Sequence, residues 1–245
     1  MPSSVRSLRL LLIQARNAPQ MLLQEQQCFI ERCRITADQL TTVNVVASPM
    51  DVSLLEGIDA VLIGGAGEYS ARDDHSWTAG LQDFIRESVD RDVPIFGSCW
   101  GHQVIARTFG GEVIYDPDRA ELGSGEVMLT EAGMADAIFG SFPPRFRVNM
   151  GHHDRVTRLP DNAVELAYNE SQRNQAFRLR GKPVYGTQFH SELDAQREEE
   201  RLIEYREHYL DALPTDEVFE EVVNNLVETT EVDHLMHDFL LRYAT

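Results

Sequence analysis

A cysteine flanked by glycines is the first residue in this chain whose position suggests chemistry. Cys99 stands in the stretch VPIFGSCWGHQ, where an apolar run predicts a strand and the following residues have helical periodicity. Gly97 and Gly101 leave room for a sharp turn, because a side chain at either position would collide with a neighbouring strand or helix. The N-terminus of the helix would stabilise a thiolate. The stretch therefore predicts a nucleophile at a strand-to-helix turn; a buried structural cysteine is the alternative.

A second stretch supplies the base that a thiol nucleophile needs and a partner to orient that base. In PVYGTQFHSEL, residues Val184–Phe189 predict a strand, with His190 at its end and Glu192 two positions later. Residues i and i+2 of an extended chain point to the same side, so the imidazole and the carboxylate are expected to face one crevice. Taken alone, this segment is also compatible with a surface histidine and glutamate. Together with Cys99, it predicts a triad of nucleophile, base and orienting acid.

A glycine-rich turn follows another predicted strand in AVLIGGAGEYS. Backbone N–H groups in such a turn can stabilise the negative oxygen of a tetrahedral intermediate. We expect Gly65 or Ala66, together with Trp100 directly after the nucleophile, to form this oxyanion hole. A phosphate-binding loop is the competing interpretation, but the glycine spacing matches neither G-x-G-x-x-G nor G-x-x-x-x-G-K-[ST].

Alternating strands and helices are expected to position these residues. Apolar, β-branched runs recur at LRLLLIQ, TTVNVVAS, IDAVLIGG and VPIFGSC, with helical stretches between them at residues 21–38 and 77–90. This alternation predicts an α/β fold in which an open, mostly parallel sheet is flanked by helices in three layers. After residue 111, short strand candidates separated by Gly, Pro, Asn and Asp predict a mixed or antiparallel extension. In such a fold, chemistry is expected beyond the carboxyl ends of the strands, where Cys99 lies.

The last part of the chain is predicted to be a helical tail, residues 194–245, after a core of about residues 8–193. Residues 191–245 hold sixteen Asp and Glu against four Arg. A solvated face on packed helices is expected there, and a docking surface for a partner is the alternative. The sequence contains no repeat, low-complexity tract or obvious linker, so we expect one domain over residues 1–245.

Composition and charge disfavour several classes of function. The net charge of −18 disfavours binding to nucleic acid and to anionic membrane surfaces, which attract clustered Lys and Arg. The apolar run near the N-terminus is too short for a signal sequence or a membrane span. The three cysteines, Cys28, Cys33 and Cys99, are an odd number without metal-like spacing, and they favour a reducing, cytoplasmic location.

The sequence does not predict a metal or cofactor site. His152, His153 and Asp154 are consecutive, and with His190 they contain residue types that bind metal ions. Neighbouring residues of a strand point to opposite faces, so this set is not expected to converge on one ion. We therefore expect a reaction that needs neither a metal nor a cofactor.

The three motifs, in this order, resemble those of the class I glutamine amidotransferases. GSCWGHQ resembles the nucleophile elbow of that family, GGAGEYS its oxyanion loop and GTQFHSE its His–Glu segment. The similarity spans about residues 8–193. The resemblance implies that Cys99, His190 and Glu192 hydrolyse the γ-amide of glutamine through a γ-glutamyl thioester.

A fourth stretch, NMGHHDRV, is similar to a segment in the amidotransferase domain of GMP synthase. By this resemblance, Gln103 and the backbone around Gly151 and His152 would hold the glutamine. His153 replaces a glycine that is common in this segment, and it adds bulk near the expected pocket. This departure leaves open which γ-glutamyl compound is the substrate.

Two versions of the activity remain open from the sequence. The chain would be a self-sufficient γ-glutamyl hydrolase, similar to plant γ-glutamyl peptidases in CWGHQVIARTFGG, or a glutaminase subunit that delivers ammonia to a separate synthetase. The lack of an attached synthetase domain favours the hydrolase. A non-catalytic binding protein of the same fold is a third alternative, which the intact triad disfavours.

Overall fold

Five parallel strands form one side of a nine-stranded sheet, and four antiparallel strands extend it. The structure is a computed structural model that describes residues 5–213 and 215–245. The strands are β1 (Leu10–Gln14), β2 (Leu40–Asn44), β3 (Ala60–Ile63), β4 (Ile95–Ser98), β5 (Glu112–Tyr115), β6 (Glu121–Leu129), β7 (Arg145–His152), β8 (Asp154–Arg158), β9 (Ala163–Tyr168), β10 (Ala176–Leu179) and β11 (Val184–Thr187). Their order in the large sheet is β2-β1-β3-β4-β11-β10-β9-β6-β7, while β5 and β8 form a separate antiparallel pair. The first five of the nine run parallel.

Helices cover both faces of the parallel strands. They are α1 (Pro19–Cys33), α2 (Thr78–Asp90), α3 (Trp100–Thr108), α4 (Glu131–Met134), α5 (Ala195–Glu204), α6 (Asp216–Asn224) and α7 (Leu235–Tyr243). Successive residues of β1 point to opposite faces: Leu12 packs in a cluster with Phe29 of α1 and Phe239 of α7. Ile13 packs in a second cluster with Phe84 of α2. The predicted three-layer α/β fold with an antiparallel extension is therefore confirmed.

Two predicted boundaries differ from the structure. The first helix ends at Cys33 rather than at residue 38, because Arg34 adopts a positive φ of 56° and closes the helix. The strand predicted over Val184–Phe189 ends at Thr187. Beyond it, the N–H of His190 donates to Asn149 O at 2.9 Å, so the neighbouring strand β7 fixes the backbone there.

The helical tail is confirmed, and two of its helices do more than present a charged surface. Leu235, Met236 and Leu240 of α7 are buried in the core beside α1. Helix α5 lies against β7 and buries Leu202. Over residues 5–213 and 215–245, no helix combines the length and apolar composition needed to cross a membrane.

The register of the central strands brings three loops together. Strand β4 lies between β3 and β11, with Gly97 opposite both Ile63 and Gly186. The segments that follow these three strands contain the predicted oxyanion loop, Cys99, and the pair His190 and Glu192. They lie side by side because the carboxyl ends of parallel strands meet at one edge of the sheet.

The close contact between α3 and β3 predicts a large effect of a small substitution. An added Cβ at Gly101 would lie 2.4 Å from Ile63 O, so Gly101→Ala should lower the free energy of unfolding by about 1–3 kcal/mol. Gly80→Ala is the matched control, because Gly80 is also helical but has open space around its Cα. It should be stabilising by about 0.5–1 kcal/mol. Urea denaturation measures both, and equal effects of the two substitutions would contradict the contact.

Candidate active site at the ends of three parallel strands

Cys99 occupies the sharp turn between β4 and α3. Its backbone has φ 49° and ψ −100°, a conformation that residues other than glycine rarely adopt and that costs about 1–3 kcal/mol. The N–H of Cys99 donates to Thr187 O at 2.8 Å, so β11 helps to hold the turn. An added Cβ at Gly97 would lie 2.6 Å from the backbone of Gly101. The predicted collisions at these two glycines are confirmed, and backbone strain of this kind concentrates at functional sites.

The structure brings His190 and Glu192 together as the spacing predicts. His190 Nδ1 lies 2.6 Å from Glu192 Oε1. The carboxylate is fully buried, and its other oxygen accepts a hydrogen bond from Ser98 Oγ at 2.8 Å. Because Nδ1 is held by the carboxylate, Nε2 is the ring nitrogen left for Cys99.

Burial and neighbouring charges shift the pKa values of this pair in opposite directions. Desolvation lowers the pKa of His190, but the charges of Glu192 and Cys99 and hydrogen bonds with both outweigh it and raise the pKa to about 10. Burial alone would raise the pKa of Glu192, but the charge of His190, assisted by Arg201 and Ser98, holds it well below its usual range. The pair therefore favours an imidazolium beside a carboxylate.

A cation from the tail completes this arrangement, and no motif in the sequence marks it. Arg201 of α5 is 5% exposed. Its Nη1 donates to Glu192 Oε1 at 3.2 Å, and its Nε donates to Gln24 Oε1 at 2.9 Å. Nearby, the buried Glu25 forms an ion pair with Arg16 at 2.8 Å. The tail thus supplies a positive charge to the acid of the predicted triad, although its composition is strongly acidic.

The three predicted oxyanion groups are not equivalent. The N–H of Gly65 donates to Glu25 Oε1 at 3.0 Å, so it is already engaged. In the part of the chain that the structure describes, no acceptor engages the N–H of Ala66 or Trp100. Both residues line a cavity beside Cys99. These two groups are therefore the ones free to face a reacting oxygen.

The cavity beside Cys99 also collects the residues that the resemblance assigned to substrate binding. It has a volume of about 220 Å³, and Gln103, Gly151 and His152 line it. Gln103 Nε2 donates to Asp154 O at 2.8 Å, and His152 Nδ1 lies 3.0 Å from the same oxygen. Gly151 O accepts a hydrogen bond from Tyr209 OH at 3.0 Å. The backbone on this side of the cavity is therefore fixed by buried side chains.

Asp154 is a cavity residue whose role was not predicted from the sequence. Its side chain is buried, and Oδ2 accepts a hydrogen bond from Ser70 Oγ. Oδ1 is buried without a partner among the described residues. In the sequence its residue type suggested only metal binding, and no cluster of His, Cys, Asp and Glu suited to a metal ion occurs within residues 5–213 and 215–245. The signal that could have found it is its place shortly after Gly151 and His152, in a segment expected to hold substrate.

Comparison with known proteins places this geometry in a family. The family model described as glutamine amidotransferase class-I matches residues 23–207, which is most of the chain. The chain belongs to the class I glutamine amidotransferase family. The match includes the elbow, the oxyanion loop and the His–Glu segment, and it ends before α6 and α7.

Several relatives of the amidotransferase carry one name. A glutamine-hydrolyzing GMP synthase subunit from Methanothermobacter thermautotrophicus is 40% identical over 157 residues, which cover 64% of this chain and 77% of the relative. The protein of the same name from Methanosarcina mazei is 32% identical over 176 residues, or 71% of this chain and 86% of the relative. A crystal structure of a glutamine amidotransferase from Thermotoga maritima superposes with a TM-score of 0.75 at 22% identity and covers 97% of this chain and 98% of its own. That likeness supports the fold.

The raised pKa of His190 yields a prediction for the amidotransferase. The ring should titrate with a midpoint near 10 in NMR spectra, and Glu192→Gln should lower the midpoint toward 6.5 because the carboxylate charge is lost. Since the pKa in the folded state is raised, protonated His190 stabilises the fold fully below about 6.5, and this stabilisation is lost as the pH rises through about 10. Glu199→Gln, at an exposed acid of α5, is the control. An unchanged midpoint in Glu192→Gln would contradict the coupling.

Proposed function

We propose that Cys99, His190 and Glu192 form a catalytic triad that hydrolyses the γ-amide of glutamine. One observation carries the proposal: a strained cysteine and a buried, 2.6 Å His–Glu pair lie at the ends of adjacent parallel strands. A buried carboxylate in contact with an imidazole fixes its tautomer and stabilises the imidazolium. The printed name of the relatives, glutamine-hydrolyzing, supports glutamine as the substrate.

In the first half of the reaction, the Cys99 thiolate adds to the γ-carbonyl carbon of glutamine. The N–H groups of Ala66 and Trp100 would stabilise the resulting oxyanion. His190 then donates its Nε2 proton to the amide nitrogen, the C–N bond breaks and ammonia leaves. The product on the enzyme is a γ-glutamyl thioester.

In the second half, His190 accepts a proton from water as the oxygen adds to the thioester carbon. The C–S bond breaks, glutamate leaves and the thiolate returns. Glu192 remains ionised throughout, because its charge stabilises the imidazolium formed in each half. No step needs a metal or a cofactor.

We also propose that Asp154 receives the α-ammonium group of the substrate. Its buried Oδ1 has no partner in the described part of the chain, and the residue belongs to the lining of the cavity beside Cys99. A buried carboxylate of this kind is a strong acceptor for a cationic donor. Gln103 and His152 both contact Asp154 O and would fix the segment that carries it.

A separate synthetase would be the acceptor of the ammonia if the chain works as its relatives are named. A second candidate is an independent hydrolase of larger γ-glutamyl compounds. It is favoured by Tyr209, which lies beyond the end of the family match and closes the cavity through its bond to Gly151 O. Incubation with glutamine and with γ-glutamyl peptides, with glutamate and ammonia followed, separates the two. Slow turnover of glutamine alone, stimulated by cell extract, supports the ammonia-donating role; rapid, unstimulated cleavage of the peptides supports the hydrolase.

The nucleophile has a decisive test. Cys99→Ala should reduce kcat/KM for glutamine by roughly 10³-fold or more while the melting temperature stays near that of the unaltered protein. Cys28→Ala is the control, because Cys28 is buried and burial raises its pKa to about 12. Glu192→Gln should reduce the rate less than His190→Ala, since the acid orients the base. If Cys99→Ala retains more than about a hundredth of the activity, the assignment is wrong.

Asp154 predicts a specific effect on substrate binding. Asp154→Asn should raise KM for glutamine by roughly 10- to 100-fold with a smaller change in kcat, because a charge-assisted hydrogen bond is lost. Asp73→Asn is the matched control, since Asp73 also lines the cavity but is exposed. The Asp154→Asn variant should also lose the preference for glutamine over α-N-acetylglutamine. A preserved preference would assign the α-ammonium group to another residue.

A further inference from the structure

A second, much smaller cavity meets the substrate cavity at Cys99. We call it the His190 chamber, and it is lined by Cys99 and His190 and roofed by the tail side chains of Glu198, Arg201, Tyr205 and Tyr209. Its volume is about 20 Å³, which is enough for about one water molecule. His190 lines this chamber and does not line the larger cavity.

Three buried polar atoms around the chamber have no hydrogen-bond partner in the described residues. They are Glu198 Oε2, Arg201 Nη2 and Arg16 Nε. Their residues are 1%, 5% and 2% exposed. Buried polar atoms are nearly always satisfied by protein or by an ordered small molecule. Three such atoms at one small chamber therefore point to a polar occupant with both donors and acceptors.

The position of the chamber indicates which occupant this is. Ammonia receives its proton from His190 as it leaves, and the water that replaces it gives a proton to His190. Both molecules must therefore lie beside the imidazole, and the chamber is the cavity that His190 lines. Both are also of the size that the chamber accepts, whereas an amino acid released from a γ-glutamyl peptide is far larger.

We propose that the His190 chamber binds the ammonia released in the first half of the reaction and then the water that cleaves the thioester, with Glu198 as the residue that holds each. The inference rests on the proposed function. In the second half, water oxygen bonds to the thioester carbon, its proton goes to His190, and the C–S bond breaks to return the Cys99 thiolate. The chamber thereby selects an unsubstituted γ-amide, since the amine that leaves must fit beneath the tail.

The chemistry of Glu198 suits this role. Desolvation raises the pKa of its carboxyl group, although the charges of His190 and Arg201 oppose the shift. A carboxyl group that is neutral for part of the time can both donate and accept hydrogen bonds. The remaining charged or titratable groups near the chamber are Glu192, Glu25, Arg16, Tyr205 and Tyr209.

The test separates the two halves of the reaction. After rapid mixing with glutamine, ammonia reports formation of the thioester and glutamate reports its hydrolysis. Glu198→Leu should slow glutamate release by at least about tenfold while the initial ammonia release changes little, so that ammonia runs ahead of glutamate. Glu198→Gln should restore most of the rate because its amide still bonds to water. Glu199→Gln is the control at the adjacent exposed position.

The outcomes are distinct from failure of the proposed function. Equal slowing of ammonia and glutamate release in Glu198→Leu, or no slowing of either, would overturn the chamber; a protein that releases no ammonia even before substitution would overturn the triad. Glu198→Leu removes an unsatisfied buried oxygen, so its melting temperature should not fall. As a second measurement, γ-glutamyl methylamide should react at least about tenfold more slowly than glutamine. Equal rates for the two amides would overturn the size limit.

Discussion

The buried negative charge of Glu192 is the constraint around which the site is built. A carboxylate with no solvent exposure is strongly disfavoured unless cations and hydrogen-bond donors surround it. His190, Arg201 and Ser98 are these groups, and they come from the end of β11, from the tail and from the end of β4. Removing any one would leave the charge partly unsatisfied. Three distant parts of the chain are therefore held together by one carboxylate.

The second buried acid, Glu25, extends this network to the oxyanion loop. It accepts a hydrogen bond from the N–H of Gly65 and forms an ion pair with Arg16. Arg16 in turn donates to Tyr205 OH at 2.9 Å, and Tyr205 packs so closely on Gly67 that an added Cβ would lie 2.2 Å from its ring. Tail, first helix and oxyanion loop thus share one set of buried contacts, and the tail belongs to the site.

The sequence could predict the parts of the site whose residues lie close together in the chain. The elbow around Cys99 was visible because glycines on either side permit a conformation that other residues oppose. His190 and Glu192 were visible because their spacing of two places them on one side of an extended chain. Arg201 was not visible, because its partners lie far away in the sequence and nothing in a charged helix marks which arginine turns inward. The N–H of Gly65 was assigned to the oxyanion hole for the same reason, since its bond to Glu25 joins positions 40 residues apart.

The central claim is that Cys99 carries the γ-glutamyl group, and acid quenching during turnover tests it most directly. Protein mixed with glutamine, quenched within the first turnovers and digested should yield a Cys99 peptide heavier by one γ-glutamyl group. Hydroxylamine should remove the added mass, as expected for a thioester, and the peptides containing Cys28 and Cys33 should be unchanged. Ammonia release with an unmodified Cys99 peptide, or the added mass on Cys28 or Cys33, would contradict the account.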